Sequence, residues 1–586
     1  MRPSADQLGA GVHILVDLEW AGTVYRLADD DLDIDSDNGD IHYTGAIASV
    51  TIPQNATPMD TVGDPQAIPL EILMPVSVPD LVAQGHDLST ARCEVSRWCE
   101  GTDYEDRELL ASGAVAKPEW GDEWEAVRFS VQADVWDDES LGPMDPTAIV
   151  TGENWTYITT LTGEWLGLPY PEIFGAPGKV DTSLYSTGVI SGSGAVWVWS
   201  DPTVDPTGGT TNLYGMVLLL AGHHVGVTEV LMNTDAYPDG SRFKVTNGYD
   251  LAGHPVAYVN WYYSAAPAPA DEFAFDVLST YVWGAGGPVY GLGNASVDAS
   301  FGPDELQGRV YVGWRDATDS TLGGRMDLRA AGDVLEYMLS KTHIPLDYGR
   351  IAAAKPALQQ YKIDCVVDAF VNPWEWIRDN LLPILPLSVV RGPRGLYFVA
   401  WRWDAVAADA ILRIDADEDP EVYRTTRLQS DTSKVKNQFS LEFAYSYRNG
   451  TRIGKAELGT TPYDPAYPMR LFSPLCAASQ SQLRNPDRTP RIIREALITS
   501  VVYDIPTAHA ILRARADAYA LPWLPARYNV PRRLGYAEAG AVVIVNDPGG
   551  GIVERVALVT GRTVSAEYVE YAVLIQPRPG RDMYAA

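Results

Sequence analysis

Short runs of alternating apolar and polar residues, each cut off by Gly, Pro, Asn or Asp, fill most of this sequence. They leave room for little besides antiparallel β-structure, because side chains on a strand alternate between its two faces. In residues 1–145 the runs are VHILVDLEWAG, TVYRLA, DIHYTGAIASVTI, AIPLEILMPV, ARCEVSRWCEG, ELLASGAVA and AVRFSVQAD. Seven short strands in one block predict a barrel or a sandwich. VPDLVAQG reads as a short helix between them. The 31 Tyr and 17 Trp fit a chain made mainly of strands.

The pattern breaks near Asp137 and resumes at about 185–325 with AVWVWSD, NLYGMVLLLAG, VGVTEVLMN, SRFKVTNGYD, PVAYVNWYYS, FAFDVLSTYVWG and RVYVGWRDA. Helical periodicity follows. AAGDVLEYMLSKTHIPLD places Val334, Leu335, Met338 and Leu339 on one face. NPWEWIRDNLLP offers Asn372 as N-cap and Pro373 at the first helical position, with Trp374, Ile377 and Leu381 on its apolar side. RGPRGLYFVAWRWD is a glycine-turned hairpin. A last β block starts at about 425 with KVKNQFSLEFAYSYRNG, includes the helix TAHAILRARADAYALP, and ends in AGAVVIVND and GGIVERVALVTGRTVSAEYVEYAVLIQP. The chain is therefore mainly β and multi-domain, with barrels or sandwiches and a small α+β part.

Charge is uneven. The net charge is −33. Residues 1–150 hold 30 acidic and 7 basic side chains, whereas residues 451–586 hold 12 acidic and 16 basic. Such a balance argues against tight binding to nucleic acid through its phosphates. The acidity peaks in DDDLDIDSDNGD, residues 29–40. Asp33, Asp35 and Asp37 match positions 1, 3 and 5 of a calcium loop, but Asn38 stands where glycine is needed and Thr44 where glutamate is needed. Alternation of the aspartates with Leu32, Ile34 and Ser36 reads instead as a strand. Asn38-Gly39 then makes the turn of a hairpin with an acidic edge.

Chemistry is hard to find. Cys93 and Cys99 are spaced to share a strand face, too far apart for an unforced disulfide, and with Cys365 and Cys476 they form no metal pattern, so a reduced, mostly buried set is expected. There is no phosphate-binding loop, no Gly-x-Ser-x-Gly elbow and no His-Glu-x-x-His in the sequence. The adjacent His223 and His224 would face opposite sides of a strand. Glu119, Asp122, Glu123 and Glu125 beside Trp120 and Trp124 read as an acidic turn more readily than as a glycosidase pair. The apolar runs MVLLLAG and LLPILPLSVV are too short to span a bilayer, and no secretory signal is read at the start, so a soluble protein made in a cytoplasm is expected, which the resemblance below makes that of a bacterial host.

The order of these patterns resembles tail-tip and baseplate hub proteins of phages, those of siphophages and gene transfer agents among them. Near the start, Trp20, Gly22, Tyr25, Arg26 and Leu27 precede the acidic hairpin and then Tyr43 and Gly45. TYITTLTGEWLGLPYPEIFGAPG, with Tyr170, Pro171, Phe174 and Gly175, resembles the hub connector. Ile344, Pro345 and Asp347, the extended run ALQQYKIDCVVDAF, the helix WEWIRDNLL and the hairpin GLYFVAW resemble the hub middle. LPWLPARYNVP, LGYAEAGAVVIVNDPGGGI and RVALVTGRTVSAEYVEYAVLI resemble its final barrel. The compact cysteine set that some hubs use for an iron–sulfur cluster is missing.

The resemblance implies two tail-tube-like β-barrel domains, a small α+β middle domain and an inserted β-sandwich. The boundaries it implies are 1–145 for the first barrel, 146–184 with 326–425 for the middle, 185–325 for the insert, and 426–586 for the second barrel, helix 505–520 included. It implies a virion protein at the tail tip, without cofactor or catalytic site, in a homotrimer whose six barrels continue and close the tail tube and open for genome ejection. Implied partners are the distal tail protein, the tail tube, the tape-measure protein, and tail fibres or tip proteins, with DNA only in transit. The acidic residues Asp29, Asp31, Asp33, Asp35 and Asp37, with neighbours at 122–139, are then candidates for the lumen wall or an interface, where like charge repels DNA within about 8 Å at physiological salt. Two other readings stay open: a tail-associated peptidoglycan hydrolase, and a carbohydrate-binding receptor protein using the insert, for instance through Tyr262 and Tyr263.

Overall fold

The computed structural model describes residues 11–36, 39–55, 68–73, 78–121, 126–133, 329–367, 371–446, 451–461, 469–565 and 567–577, apart from 343 and 486, with isolated strands and turns between 149 and 314. Residues 37, 122–125, 134–148, 262 and 263 lie outside the described residues. The protein is mostly β.

The first unit begins with Val12–Trp20, which pairs with Thr23–Ala28 through a two-residue turn, Trp20 opposite Thr23. Both turn residues have positive φ, Ala21 at 53° and Gly22 at 76°. That conformation matches strand twist but burdens an alanine, whose Cβ crowds the backbone there. Ala21→Asn is expected to stabilise the hairpin by about 0.5–1 kcal/mol, read as a higher urea midpoint at unchanged slope.

The strand path runs from Ile47–Asn55 through Ile68–Leu73, Ala126–Ala133, Glu108–Trp120, Arg92–Cys99, Val12–Trp20 and Thr23–Ala28 to Ile41–Gly45. Its two ends are one continuous stretch of chain, bent at Ala46. The Ala46 N–H donates to the Ala28 carbonyl at 2.8 Å, and the Ala46 carbonyl accepts from Leu73 N–H at 2.7 Å. One stretch thus has Thr23–Ala28 beside it before the bend and Ile68–Leu73 after it, and the path returns on itself. The interior holds the inward phase of each strand, Ile14, Val16, Leu18 and Trp20 together with Ile52, Ile72, Val95, Val127 and Phe129.

The expected acidic hairpin is present. Leu32–Ile34 pairs with Ile41–Gly45, Asp33 opposite His42, and Gly39 takes φ 106° in the turn. Ile34 and Tyr43 on its inner side pack against Leu15, Trp98 and Tyr104 on the outside of the first unit. Tyr43 Oη donates to Asp17 at 2.8 Å and lies 2.9 Å from Tyr104 Oη.

At the other end of the chain, Leu524–Pro531, Tyr568–Ile575, Ile552–Ser565 and Val542–Asp547 form antiparallel neighbours, joined by Leu412–Asp415 in parallel and by Tyr423–Arg424. Ile552–Ser565 changes partner along its length. Its first half pairs with Val542–Asp547, and after a shift between Val559 and Gly561 its last five residues pair with Thr51–Asn55 of the first unit. Two units from opposite ends of the sequence are therefore one continuous sheet with one apolar core, in which Val16 and Ile52 share a cluster with Tyr528, Val559 and Val573.

A second core lies between the helices and a four-stranded sheet. The helices are Ala331–Ser340, Tyr348–Leu358, Pro373–Asn380, Pro474–Gln482 and Ile505–Tyr519, the last four capped at their starts by the side chains of Asp347, Asn372, Ser473 and Asp504. The sheet is Arg470–Phe472, Thr451–Gly459, Gln438–Ser446 and Arg494–Ile498. Leu412–Asp415 and Tyr423–Arg424 join the C-terminal sheet, whereas Gln438–Ser446 and the helix Ile505–Tyr519 pack with the middle helices through Phe439, Leu441, Ala508, Ile511 and Leu512. Alternation identifies a strand but not the sheet it enters. Helices Tyr348–Leu358 and Pro474–Gln482 were not read from the sequence, because their apolar residues are small and weakly periodic. No described helix is long and apolar enough to cross a membrane.

Candidate functional site: a charged seam between the two sheet halves

The ladder between Thr51–Asn55 and Gly561–Ser565 is flanked by arginines that reach from the C-terminal half into the N-terminal one. Arg562 lies on the shared strand and is fully buried. Its Nη2 donates to Glu108 Oε1 at 2.6 Å and its Nη1 to the Gly535 carbonyl at 2.8 Å. Arg97 completes the group, with Nη2 at 2.7 Å from Glu108 Oε2 and Nη1 on the same Gly535 carbonyl. Two guanidiniums thus share one carboxylate and one carbonyl across the seam. Burial pushes Glu108 up, but Arg562 and Arg97 outweigh it and hold the carboxyl at about 2. Gly535 must be small, since a Cβ there would come within 2.6 Å of Val569 Cγ2 and 3.1 Å of Arg97 Nη1.

A second group sits at the base of the acidic hairpin. Arg532 of the C-terminal half donates to the Val12 carbonyl at 2.7 Å and pairs with Asp29. His13 Nδ1 lies 3.2 Å from Asp29 Oδ1, and its Nε2 lies 3.3 Å from Glu100 Oε1. The ring stacks on Trp98. The Asp29 hydrogen bond holds the His13 pKa above its ordinary value. Asp29 is lowered despite its burial, through His13 and Arg532.

A third link joins the middle helices. Arg350, near the start of Tyr348–Leu358, donates to Glu538 Oε1 at 2.7 Å and lies 4.7 Å above the Tyr397 ring. Between this arginine and Glu105–Leu109 opens a cleft of about 330 Å³, also bordered by Asp347, Pro393 and Arg394. Acids and arginines alternate around it, so the arrangement suits holding three parts in register.

The expected site residues separate. Asp29 belongs to the seam. Asp31, Asp33 and Asp35 are exposed on the hairpin; Asp31 accepts from Gly45 N–H at 2.7 Å and Asp33 pairs with His42 at 2.9 Å. Asp37 lies outside the described residues. The seam residues Arg97, Glu108, Arg532 and Arg562 were missed. The signal for Arg562 was a charge within an otherwise apolar strand, VALVTGRTVS, whereas Arg532 lies just past the end of Leu524–Pro531. All four cysteines are free, and among the described residues no three His, Cys, Asp or Glu side chains gather as a metal site.

No protein-family model matches the sequence, and no curated protein matches it. Solved structures similar to it include tail proteins and a gene transfer agent particle. The tail protein from Neisseria meningitidis MC58 is 8% identical over 96% of both chains, with a TM-score of 0.34. The 43 kDa tail protein of prophage MuSo2 from Shewanella oneidensis is 10% identical over 96% of this chain and 98% of its own, with a TM-score of 0.27. A chain of the virion of a native gene transfer agent particle is 13% identical over 76% of this chain and 92% of its own, with a TM-score of 0.33.

Proposed function

We propose that the chain is a structural hub at the tip of a phage tail or phage-derived particle, acting as a homotrimer that closes the tail tube and opens for genome passage. The observation that carries this reading is the fusion of the two β units into one sheet and one core. Each copy would present two rigidly joined β units, and three copies would present the six that a sixfold tube requires. The sequence patterns occur in hub order, and the acidity of the first unit suits a passage that DNA must traverse without sticking. The exposed Asp31, Asp33 and Asp35 would line that passage or an interface beside it. The distal tail protein, tube, tape-measure protein and peripheral fibres are the partners this role requires, and it needs neither catalysis nor cofactor. Light scattering on the purified chain is expected to give three times the mass of one copy. Labelled particles are expected to show it at the distal end of the tail. A monomer at every concentration, or clearing of purified cell wall in a zymogram, would reject the reading.

A further inference from the structure

The four-stranded sheet ends in Arg494–Ile498, which pairs in parallel with Gln438–Ser446 on one side and, among the described residues, with nothing on the other. An open edge of this kind offers a row of backbone donors and acceptors to another strand. The segment leading into it is basic. Arg484, Arg488, Arg491 and Arg494 are all exposed, while Glu495 turns inward to Arg515. Charge on an edge often only wards off unwanted pairing. That purpose does not account for the isoleucines at either end, Ile492 at 50% exposure and Ile498 at 58%. Arginine interleaved with exposed aliphatic side chains fits an edge that receives an acidic strand.

The same chain carries such a strand. Leu32–Ile34 ends the long sheet, pairs only with Ile41–Gly45 among the described residues, and carries exposed Asp33 with exposed Asp31 and Asp35 flanking it. Within one copy no described ion pair joins the two segments. We propose that the edge Arg494–Ile498 of one copy receives the acidic edge strand Leu32–Ile34 of a second copy. This contact is heterologous: the two surfaces differ, so each copy keeps one of each free until a ring closes. It deepens the trimer reading and rests on it. Opposite charges directly across a strand pair favour this partner over a like-charged one.

The test uses the full chain. Asp31 is left alone because it also holds Gly45. Arg491→Glu with Arg494→Glu, and separately Asp33→Lys with Asp35→Lys, are each expected to weaken self-association at least tenfold in light scattering and sedimentation, with circular dichroism unchanged. The four changes together are expected to restore it, and rising salt is expected to weaken the wild-type contact. Trimers indifferent to both reversals would overturn this contact and leave the ring intact. Loss without recovery in the fourfold variant would overturn the direct pairing of these two edges. A wild-type chain that never associates would remove both the contact and the ring.

Discussion

Arg562→Ala is expected to cost about 3–5 kcal/mol of stability, because it leaves Glu108 buried with half of its compensation and a cavity beside it. Arg562 is fully buried, and Glu108 and the Gly535 carbonyl take its donors. Arg97 alone then faces the carboxylate. The loss should appear in urea unfolding as a fall in midpoint. Replacing Arg97, Glu108 and Arg562 together by methionine is expected to recover most of it, since well-packed apolar groups replace a buried triad at little net cost. If the single and triple variants are equally weak, packing rather than charge governs the seam.

The same triad sets an acid limit. The Glu108 carboxyl is held at about 2, below its unfolded value. Its contribution is therefore complete above the ordinary carboxyl range and is lost as pH falls through the folded value. Asp29 acts in the same direction. His13 acts oppositely, since a raised histidine pKa stabilises at low pH and the gain fades as pH rises through it. Wild-type stability should thus fall below about pH 4, and Glu108→Gln should flatten that fall while lowering the neutral plateau.

Much of the fold was legible because its signals are local. The alternation in Val12–Trp20, the hairpin that turns through Gly39 and the Asn372-Pro373 helix start each depend on a few adjacent residues, and each appears where the pattern places it. The joining of Thr51–Asn55 to Gly561–Ser565 depends on residues some five hundred positions apart, and a single sequence carries no mark of that pairing. Alternation also could not tell that Gln438–Ser446 belongs with the helices while Leu412–Asp415 belongs with the C-terminal sheet. Asp29 shows the same limit within a single charge run. Composition groups it with Asp31, Asp33 and Asp35, but its place at the end of Thr23–Ala28 sets it against Arg532 while the others face outward.

Gly395→Ala is expected to cost about 2–6 kcal/mol, combining backbone strain with overpacking. Gly395 has φ 127°, a conformation side chains rarely adopt, and a Cβ there would lie 2.0 Å from the Pro345 carbonyl oxygen and 2.4 Å from its carbon. Both are backbone atoms, so no rotamer relieves the clash. The segment that must yield accepts Leu396 N–H at the Pro345 carbonyl, 2.8 Å, and donates Asp347 N–H to the Leu396 carbonyl, 3.0 Å. Asp347 in turn caps the helix that carries Arg350 to Glu538. Damage at one turn therefore spreads to the link between the middle helices and the C-terminal sheet. Gly22→Ala separates the two causes, since Gly22 also has positive φ but nothing lies within 4 Å of its added Cβ, and about 1–2 kcal/mol is expected there. Equal losses at Gly395 and Gly22 in urea unfolding would mean that backbone strain alone acts and that the approach of Pro345 does not matter.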